Sequence, residues 1–573
     1  MTTSKTPKPR DGIVTESYRG PSGFQPDILR LDGNEGSKPD SALFASVPDI
    51  DISAVRSYPS TAALEAVLAA RFGVSAERIV VTTGADDALD RICRAYLDHG
   101  RNIILPTPSF EMLARFATNA GGSITEVPWD SDFPTDACIK AITPTTSLLA
   151  LVTPNNPSGK TIPIADIRRI ANRAPGTMLL LDMAYVEYAN FDPTEELLDL
   201  DNVVIVRTLS KAWGLAGLRI GYAIAPTSVA SILRNIGNPF PVSGLSLELA
   251  IMRLKEAEPQ VHDHIARVKT ERELLQQRLQ EQSIHVSPSE GNFVFADLGE
   301  RAEFFTRALA SKGIAVRTFP HRRELSGGVR ISLPGDDVEF TELMSALEST
   351  LNPEALIFDL DGVLADVEGS YRSCIISVAA HYGVQIDRRD VENAVMEGQA
   401  NNDWILTQRI LASFGVDISL DDITATYQSK YLGDGTAKGL RETEKLLVSR
   451  EWFANLTSHF RLGIVTGRPR AEAEWFLDRF EVRQFFDAIV CMEDGPLKPD
   501  PSPVKTALER LGVQHAWMFG DTPDDIRAAV GAGVIPVGVI APGDIKDTVS
   551  PVLQQAGAAT VLNTVTNMDR LLS

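Results

Sequence analysis

Residues 354–364 read "EALIFDLDGVL". An apolar run ends in two aspartates, Asp359 and Asp361, and a glycine, the pattern of a strand that delivers carboxylates at its C-terminal end. Such a stretch opens a parallel α/β domain, yet it begins more than halfway along a 573-residue chain. Downstream, apolar runs recur in "LGIVTGRP", "AIVCMED", "AWMFGDTPDD" and "PVGVIA". Upstream, a separate series runs through "RIVVTTG", "RNIILPTP", "SLLALVTPNNP", "TMLLLDMAY" and "NVVIVRTLSK". In both series the chemistry-bearing residues follow the run, where open parallel sheets hold their ligands. The two series meet near Leu351-Asn352-Pro353, so the sequence predicts two α/β domains.

The composition is that of packed globular domains, 44% apolar and 23% charged. A formal charge of −21 argues against nucleic acid as a partner and leaves room for a local basic pocket for a phosphorylated metabolite. The four cysteines, Cys93, Cys138, Cys374 and Cys491, show no paired spacing and read as thiols in a reducing compartment. The start has no apolar signal core and no segment has the length of a membrane span, so the expectation is a cytoplasmic enzyme with no membrane partner. Residues 1–14, rich in Lys, Pro, Ser and Thr, read as a flexible arm.

In a strand, Asp359 and Asp361 would face the same way and repel, which a divalent cation between them relieves; Mg²⁺ prefers such carboxylate oxygens. Three further stretches supply partners: Thr466 and Gly467 in "LGIVTGRP", Lys498 in "GPLKPDP", and Asp521 and Asp525 in "MFGDTPDDI". An anionic nucleophile approaches an anionic phosphate when a cation and a lysine offset the repulsion. In their order and spacing these motifs resemble the haloacid-dehalogenase-like phosphatases over residues 354–573. The resemblance implies that Asp359 attacks phosphorus and that Asp361 protonates the leaving oxygen and later activates water. Thr466, Gly467 and Lys498 would hold the phosphoryl group. Asp359, the Asp361 carbonyl and Asp521 would bind Mg²⁺, supported by Asp525. It also implies a helical cap at about 367–437 that selects substrates, with Arg372 and "EGQANNDW" as candidate contacts.

In the first series, "TLSKAWGLAGLRIGY" (208–222) places Lys211 after Thr208 and Ser210, with Arg219 eight residues on. A pyridoxal-phosphate enzyme needs this set: an amine for the cofactor's aldehyde, with hydroxyls and a guanidinium for its phosphate. "LLLDMAY" adds Asp182 for the pyridine nitrogen and Tyr185. "TPNNPSG" adds Asn156, which with Tyr185 can reach the ring oxygen. Residues 15–351 resemble a fold-type I aminotransferase of the histidinol-phosphate branch. The resemblance implies a homodimer in which Tyr58 of "RSYPS" reaches the cofactor phosphate of the neighbouring subunit. It places Gly84, Ala85 and Asp86 of "TTGADDAL" at that phosphate and Phe110 of "PTPSF" against the pyridine ring. Arg317 and Arg330, 13 residues apart, would hold the substrate's phosphate or carboxylate, and Tyr18 would close the site. Two positions depart from the branch, both expected near the substrate: "LDGNEGSKPD" replaces its Asn-Glu-Asn-Pro element, and Met183 replaces a glutamate.

The fold class expected is therefore α/β: a fold-type I PLP-dependent transferase followed by a haloacid-dehalogenase-like Rossmannoid domain with a helical cap. The function this implies is bifunctional, with cofactors pyridoxal 5'-phosphate and Mg²⁺. Imidazole-acetol phosphate and an amino donor such as glutamate would give histidinol phosphate, and a phosphatase would release histidinol. Three alternatives stand beside it: the same two chemistries on another phosphorylated ketone or amino alcohol, a threonine-phosphate decarboxylase-like activity with a phosphatase, and one half acting as a non-catalytic binding module.

Overall fold

The structure is a computed structural model that describes residues 13–14, 28–36, 38–39, 41–398, 402–433 and 438–572. By their contacts the described residues form two units. The first holds Arg30–Gly299 and Val316–Thr341; the second holds Glu300–Ala315 and Glu342–Ser573.

The first unit is built on a seven-stranded sheet. From one edge its strands are Ile79–Thr83, Ile220–Ile224, Val203–Thr208, Met178–Asp182, Thr146–Val152, Asn102–Thr107 and Ser123–Pro128. Ile220–Ile224 runs antiparallel to both its neighbours and the remaining pairings are parallel. Val203–Thr208, Met178–Asp182 and Ile220–Ile224 are buried at every position. Covered on both faces, they read as unbroken apolar runs with no alternation. Val152 pairs with Asp182, and Asp182 with Val206, so the loops after these parallel strands open at one edge of the sheet. In a second sheet Gly328–Ser332 pairs antiparallel with Phe293–Asp297 on one side, and on the other with the strand that carries Arg317, which sets Arg317 directly opposite Arg330. Cross-strand partners point to the same face, which turns the 13-residue spacing into a guanidinium pair.

The second unit carries a six-stranded parallel sheet in the order Ala488–Val490, Arg461–Val465, Ala355–Phe358, Ala516–Gly520, Ile535–Val539, Thr560–Leu562. Phe358 is in register with Ile464 on one side and Phe519 on the other. Asp359, Thr466 and Asp521 therefore leave adjacent strands at the same end. Ala365–Asp366 and Lys445–Leu446 pair antiparallel. The chain between them forms the helices Ser373–His381, Arg388–Met396, Asp403–Ser413 and Leu420–Leu432. This helical insert leaves and rejoins the sheet domain through two paired strands.

Glu300–Ala315 and Glu342–Leu351 belong to the second unit although they precede its first strand in sequence. The reason is apolar packing around Trp517, which is 1% exposed. Phe304 meets its ring edge-on at 5.0 Å, and its indole Nε1 donates to the Ser349 carbonyl at 2.9 Å. Truncating so large a buried aromatic creates a cavity and orphans that carbonyl. Trp517→Ala is expected to lower stability by about 3–5 kcal/mol, read from denaturant unfolding.

Candidate active sites

In the first unit, Lys211 lies just beyond the buried end of Val203–Thr208, and its amine donates to the Gly33 carbonyl at 3.3 Å. Burial, then the nearby Arg330 guanidinium, lower its pKa to about 8. Near neutral pH a larger share of the amine is then unprotonated and nucleophilic than for an ordinary lysine. Gly36, in the stretch that departs from the branch pattern, packs so closely that a Cβ there would overlap the Lys211 carbonyl. The absence of a side chain lets that loop lie against the lysine's backbone.

Asp182 closes its strand fully buried, with one oxygen accepting from the Ala184 N–H at 3.1 Å. Burial pushes its pKa up to about 7, against a small lowering by that hydrogen bond. A buried carboxylate held this way suits a protonated pyridine nitrogen, so the residues present fit the cofactor. The Tyr185 hydroxyl accepts from Asn34 Nδ2 at 3.1 Å and from Asn156 Nδ2 at 3.4 Å. Arg330 donates to Asn156 Oδ1 at 2.7 Å and to the Asp32 carbonyl at 2.7 Å.

At the phosphate end, Thr208 Oγ1 donates to Ser210 Oγ at 2.9 Å, and Arg219 reaches Asp86 Oδ2 at 3.1 Å. The helix Gly84–Tyr96 begins here. A Cβ at Gly221 would overlap the backbone of Gly84 and Ala85, so glycine is needed for the strand to approach that helix start. A cavity of about 200 Å³ brings together Ala85, Asp86, Phe110, Asn156, Asp182, Tyr185, Thr208, Ser210, Lys211, Arg219, Arg317 and Arg330. Gly84 adjoins it. Tyr58 does not line it; its side chain is 83% exposed and stacks on Phe240 at 4.5 Å. Tyr18 lies outside the described residues. Met183, expected on the substrate side, does not line this cavity. It is fully buried with its sulfur accepting from Thr194 Oγ1 at 3.9 Å, so the glutamate it replaces has no counterpart facing the ligand.

The Asp182 shift gives a pH prediction. The unfolded carboxyl ionises near 3.8 and the folded one near 7. Between these values the unfolded chain has lost its proton while the folded apoprotein keeps it, so this group's contribution to stability falls as pH rises through that window. Asp182→Asn is expected to flatten the loss in the apoprotein and, at the same time, to weaken pyridoxal-phosphate binding. Thermal unfolding from pH 4 to 8, with and without cofactor, checks both.

In the second unit, Lys498 Nζ donates to Asp359 Oδ1 at 2.6 Å and to the Val465 carbonyl at 3.2 Å, and it also pairs with Asp525. The carboxylate oxygens of Asp359, Asp521 and Asp525 lie within 4.8 Å of one another, all buried. Burial raises the pKa of both Asp359 and Asp521; Lys498 works against the rise at Asp359, and the neighbouring carboxylates add to it at both. One lysine against three carboxylates leaves a net negative site of oxygen donors, which fits a hard divalent cation. Asp525 caps the helix Pro523–Ala532, accepting from the Thr522 N–H at 3.0 Å and the Thr522 hydroxyl at 2.6 Å. Gly362 adopts φ +72° in the turn after Asp361, where a Cβ would strike Asp521.

The Asp361 side chain stands apart from this cluster. Arg468 holds its Oδ1 through Nε at 2.8 Å and Nη2 at 2.5 Å, while its third nitrogen reaches Glu444 at 3.0 Å. Arg468 is 2% exposed and lies over the Tyr371 ring at 4.7 Å. Its backbone N–H donates to Thr466 Oγ1 at 3.2 Å. Asp359, Asp361, Gly467, Arg468 and Asp521 share one cavity with residues of the helical insert, including Tyr371, Arg372 and Asn402–Trp404. Gln399, Ala400 and Asn401 of the "EGQANNDW" segment lie outside the described residues. Sequence reading passed over Asn34, Arg468, Glu444 and Glu472; the only local signal was Arg468's place directly after Thr466-Gly467.

Residues 31–347 match the family described as aminotransferase class I and II, and residues 356–539 match that of the haloacid dehalogenase-like hydrolases. Histidinol-phosphate aminotransferase of Granulibacter bethesdensis is 33% identical over 331 residues, covering 54% of this chain and 88% of that protein. Imidazoleglycerol-phosphate dehydratase of Phytophthora nicotianae is 38% identical over 228 residues; the match takes in 36% of this chain and only 50% of that protein. Among solved structures, histidinol-phosphate aminotransferase from Sinorhizobium meliloti in complex with pyridoxal-5'-phosphate aligns with a TM-score of 0.51 at 26% identity, covering 56% of this chain and 89% of that one.

Proposed function

Because the chain belongs to the class I and II aminotransferases and continues into a haloacid dehalogenase-like hydrolase domain, we propose that it performs two consecutive steps of histidine biosynthesis. A first catalytic domain, about 15–351, would transaminate imidazole-acetol phosphate with glutamate. A second, about 354–573, would hydrolyse the resulting histidinol phosphate to histidinol. The observation that carries this reading is the pair of sites: Lys211, Asp182 and the paired Arg317 and Arg330 around one cavity, and Asp359 and Asp361 around the other with Lys498 bonded to Asp359.

In the first site, Asp182, Tyr185, Asn156, Thr208, Ser210 and Arg219 would hold pyridoxal phosphate, which when bound supplies an electron sink for carbanion chemistry. Lys211 offers the amine that moves a proton at the substrate carbon. Arg317 and Arg330, side by side on one sheet face, suit the substrate phosphate in one half-reaction and the donor's carboxylate in the other. In the second site an Asp359 oxygen forms a bond to phosphorus as the ester P–O bond breaks, and the departing alcohol oxygen takes up a proton by way of Asp361. Water assisted by Asp361 then releases phosphate from Asp359. Asp359, Asp521 and Asp525, with the Asp361 carbonyl, would hold Mg²⁺, which offsets charge between nucleophile and ester.

A homodimer is part of this reading. Ile52 is 76% exposed and Val55 71%, beside the exposed Tyr58–Phe240 stack, an apolar surface that suits a second subunit. A cytoplasmic setting is supported by four free, buried cysteines. Among the described residues no helix is long and apolar enough to cross a membrane.

Incubation with imidazole-acetol phosphate and glutamate should yield 2-oxoglutarate, histidinol and inorganic phosphate, followed by mass detection. Absence of turnover of both histidine intermediates overturns the assignment. A chelator that removes Mg²⁺ is expected to stop phosphate release and let histidinol phosphate accumulate, because only the second site relies on the metal.

A further inference from the structure

The phosphoryl-transfer cavity contains two carboxylates that the chemistry above does not use. Asp403 opens the helix Asp403–Ser413, Glu472 lies on the helix Arg470–Arg479, and both line the cavity of Asp359 and Asp361. Their hydrogen-bond partners are neutral. The Tyr427 hydroxyl donates to Asp403 Oδ2 at 3.3 Å; the Tyr371 hydroxyl donates to Glu472, as does Gln428 Nε2 at 2.9 Å. Among the described residues neither carboxylate belongs to an ion pair.

The two arginines of the cavity are already engaged. Arg468 is shared between Asp361 and Glu444. Arg372 is bound to Asp544 at 2.5 Å, with Glu392 at 3.9 Å. Burial, and then the Asp361 charge, push the Asp403 carboxyl up to about 7, as befits an anion without a counterion. The lining therefore combines Asp359 and Asp521 of the cation-binding cluster, with Lys498 bonded to Asp359, and the carboxylates Asp403 and Glu472 with the aromatic rings of Tyr371 and Trp404. Glu472 is buried and Asp403 half-buried, and a carboxylate withdrawn from water without a counterion is costly unless a ligand brings the opposite charge.

We propose that this half selects phosphate monoesters whose alcohol portion carries a protonated amine, seated on Asp403 and Glu472. The proposal rests on the reading of the second domain as a phosphatase and deepens it. A keto phosphate lacks the cation and its transamination product has it. The second site thus distinguishes the product of the first from its precursor, and the ester is kept intact until the amino group has been installed.

The test uses two esters that differ by the ammonium alone, 2-amino-3-phenylpropyl phosphate and 3-phenylpropyl phosphate, with the intact chain and Mg²⁺. The amine ester is expected to have the higher kcat/KM by about 10- to 100-fold, the range that charge-assisted hydrogen bonds supply. In Asp403→Asn and in Glu472→Gln the ratio is expected to fall toward one, carried mainly by KM. Equal kcat/KM for the two esters in the unaltered chain, or a preference that survives both substitutions, overturns the proposal. Calorimetric binding of both esters to Asp359→Asn separates the two readings. Tighter binding of the amine ester, with neither ester hydrolysed by the unaltered chain, would leave the amine subsite standing and remove the phosphatase reading. Equal binding of the two would remove the subsite.

Discussion

Lys211→Ala is expected to lower transamination by at least about 10⁴-fold, since it removes both the group that captures the cofactor and the base positioned at the substrate carbon. The pKa of the amine is lowered to about 8 by burial, and the amine donates to the Gly33 carbonyl. Among the described residues that line the cavity there is no second lysine to take over. Cofactor binding should weaken less than catalysis does, because Asp182, Tyr185, Arg219 and the Thr208–Ser210 hydroxyls remain. The measurements are half-reaction kinetics with glutamate and the absorption of the protein titrated with pyridoxal phosphate. Phosphate release from a supplied amino-alcohol phosphate should stay within about twofold of the unaltered chain, since among the described residues the two cavities share no lining residue. Loss of both activities would contradict two independent sites.

Asp359→Asn is the converse experiment. The amide keeps the shape of the carboxylate and loses its nucleophilicity, so phosphomonoester hydrolysis should fall by roughly 10⁴-fold or more while transamination persists. The charge balance adds a second readout. Asp359 sits with Asp521 and Asp525 around a single lysine, and its pKa is raised by burial and by its acidic neighbours. Lys498 keeps Asp525 as a partner after the substitution. Without divalent cation the variant should therefore be at least as stable as the unaltered chain, because one of three mutually repelling carboxylates is gone. With Mg²⁺ the order should reverse, as the unaltered site gains more from the cation. Thermal unfolding with chelator and with Mg²⁺ checks this sign change.

Much of both sites was legible because each group is read from a strand end and the few residues after it. Asp182, Thr208, Lys211, Asp359, Thr466 and Asp521 fall within three residues of a strand terminus. Parallel strands bring such termini to one edge whatever the order of the sheet. Residues whose roles come from contacts across the chain were not legible. Asn34 meets Tyr185 across 151 positions, and Arg468 meets Asp361 across 107. Met183 shows the limit within one motif. It stands next to Asp182, yet its side chain lies against Thr194, away from the cavity, because successive residues at a strand end point to opposite sides.

By itself the sequence determined two α/β units, the strands that build them and most of the groups that do chemistry, since apolar runs and the polar residues closing them are local properties of the chain. Tertiary structure alone decided which charges are left without a partner. Arg468 pairs with Asp361, Lys498 bridges Asp359 and Asp525, and among the described residues Asp403 and Glu472 keep only neutral donors. The physical reason is that the energy of a buried charge depends on what lies within a few ångströms of it in space, and packing sets those neighbours independently of distance along the chain.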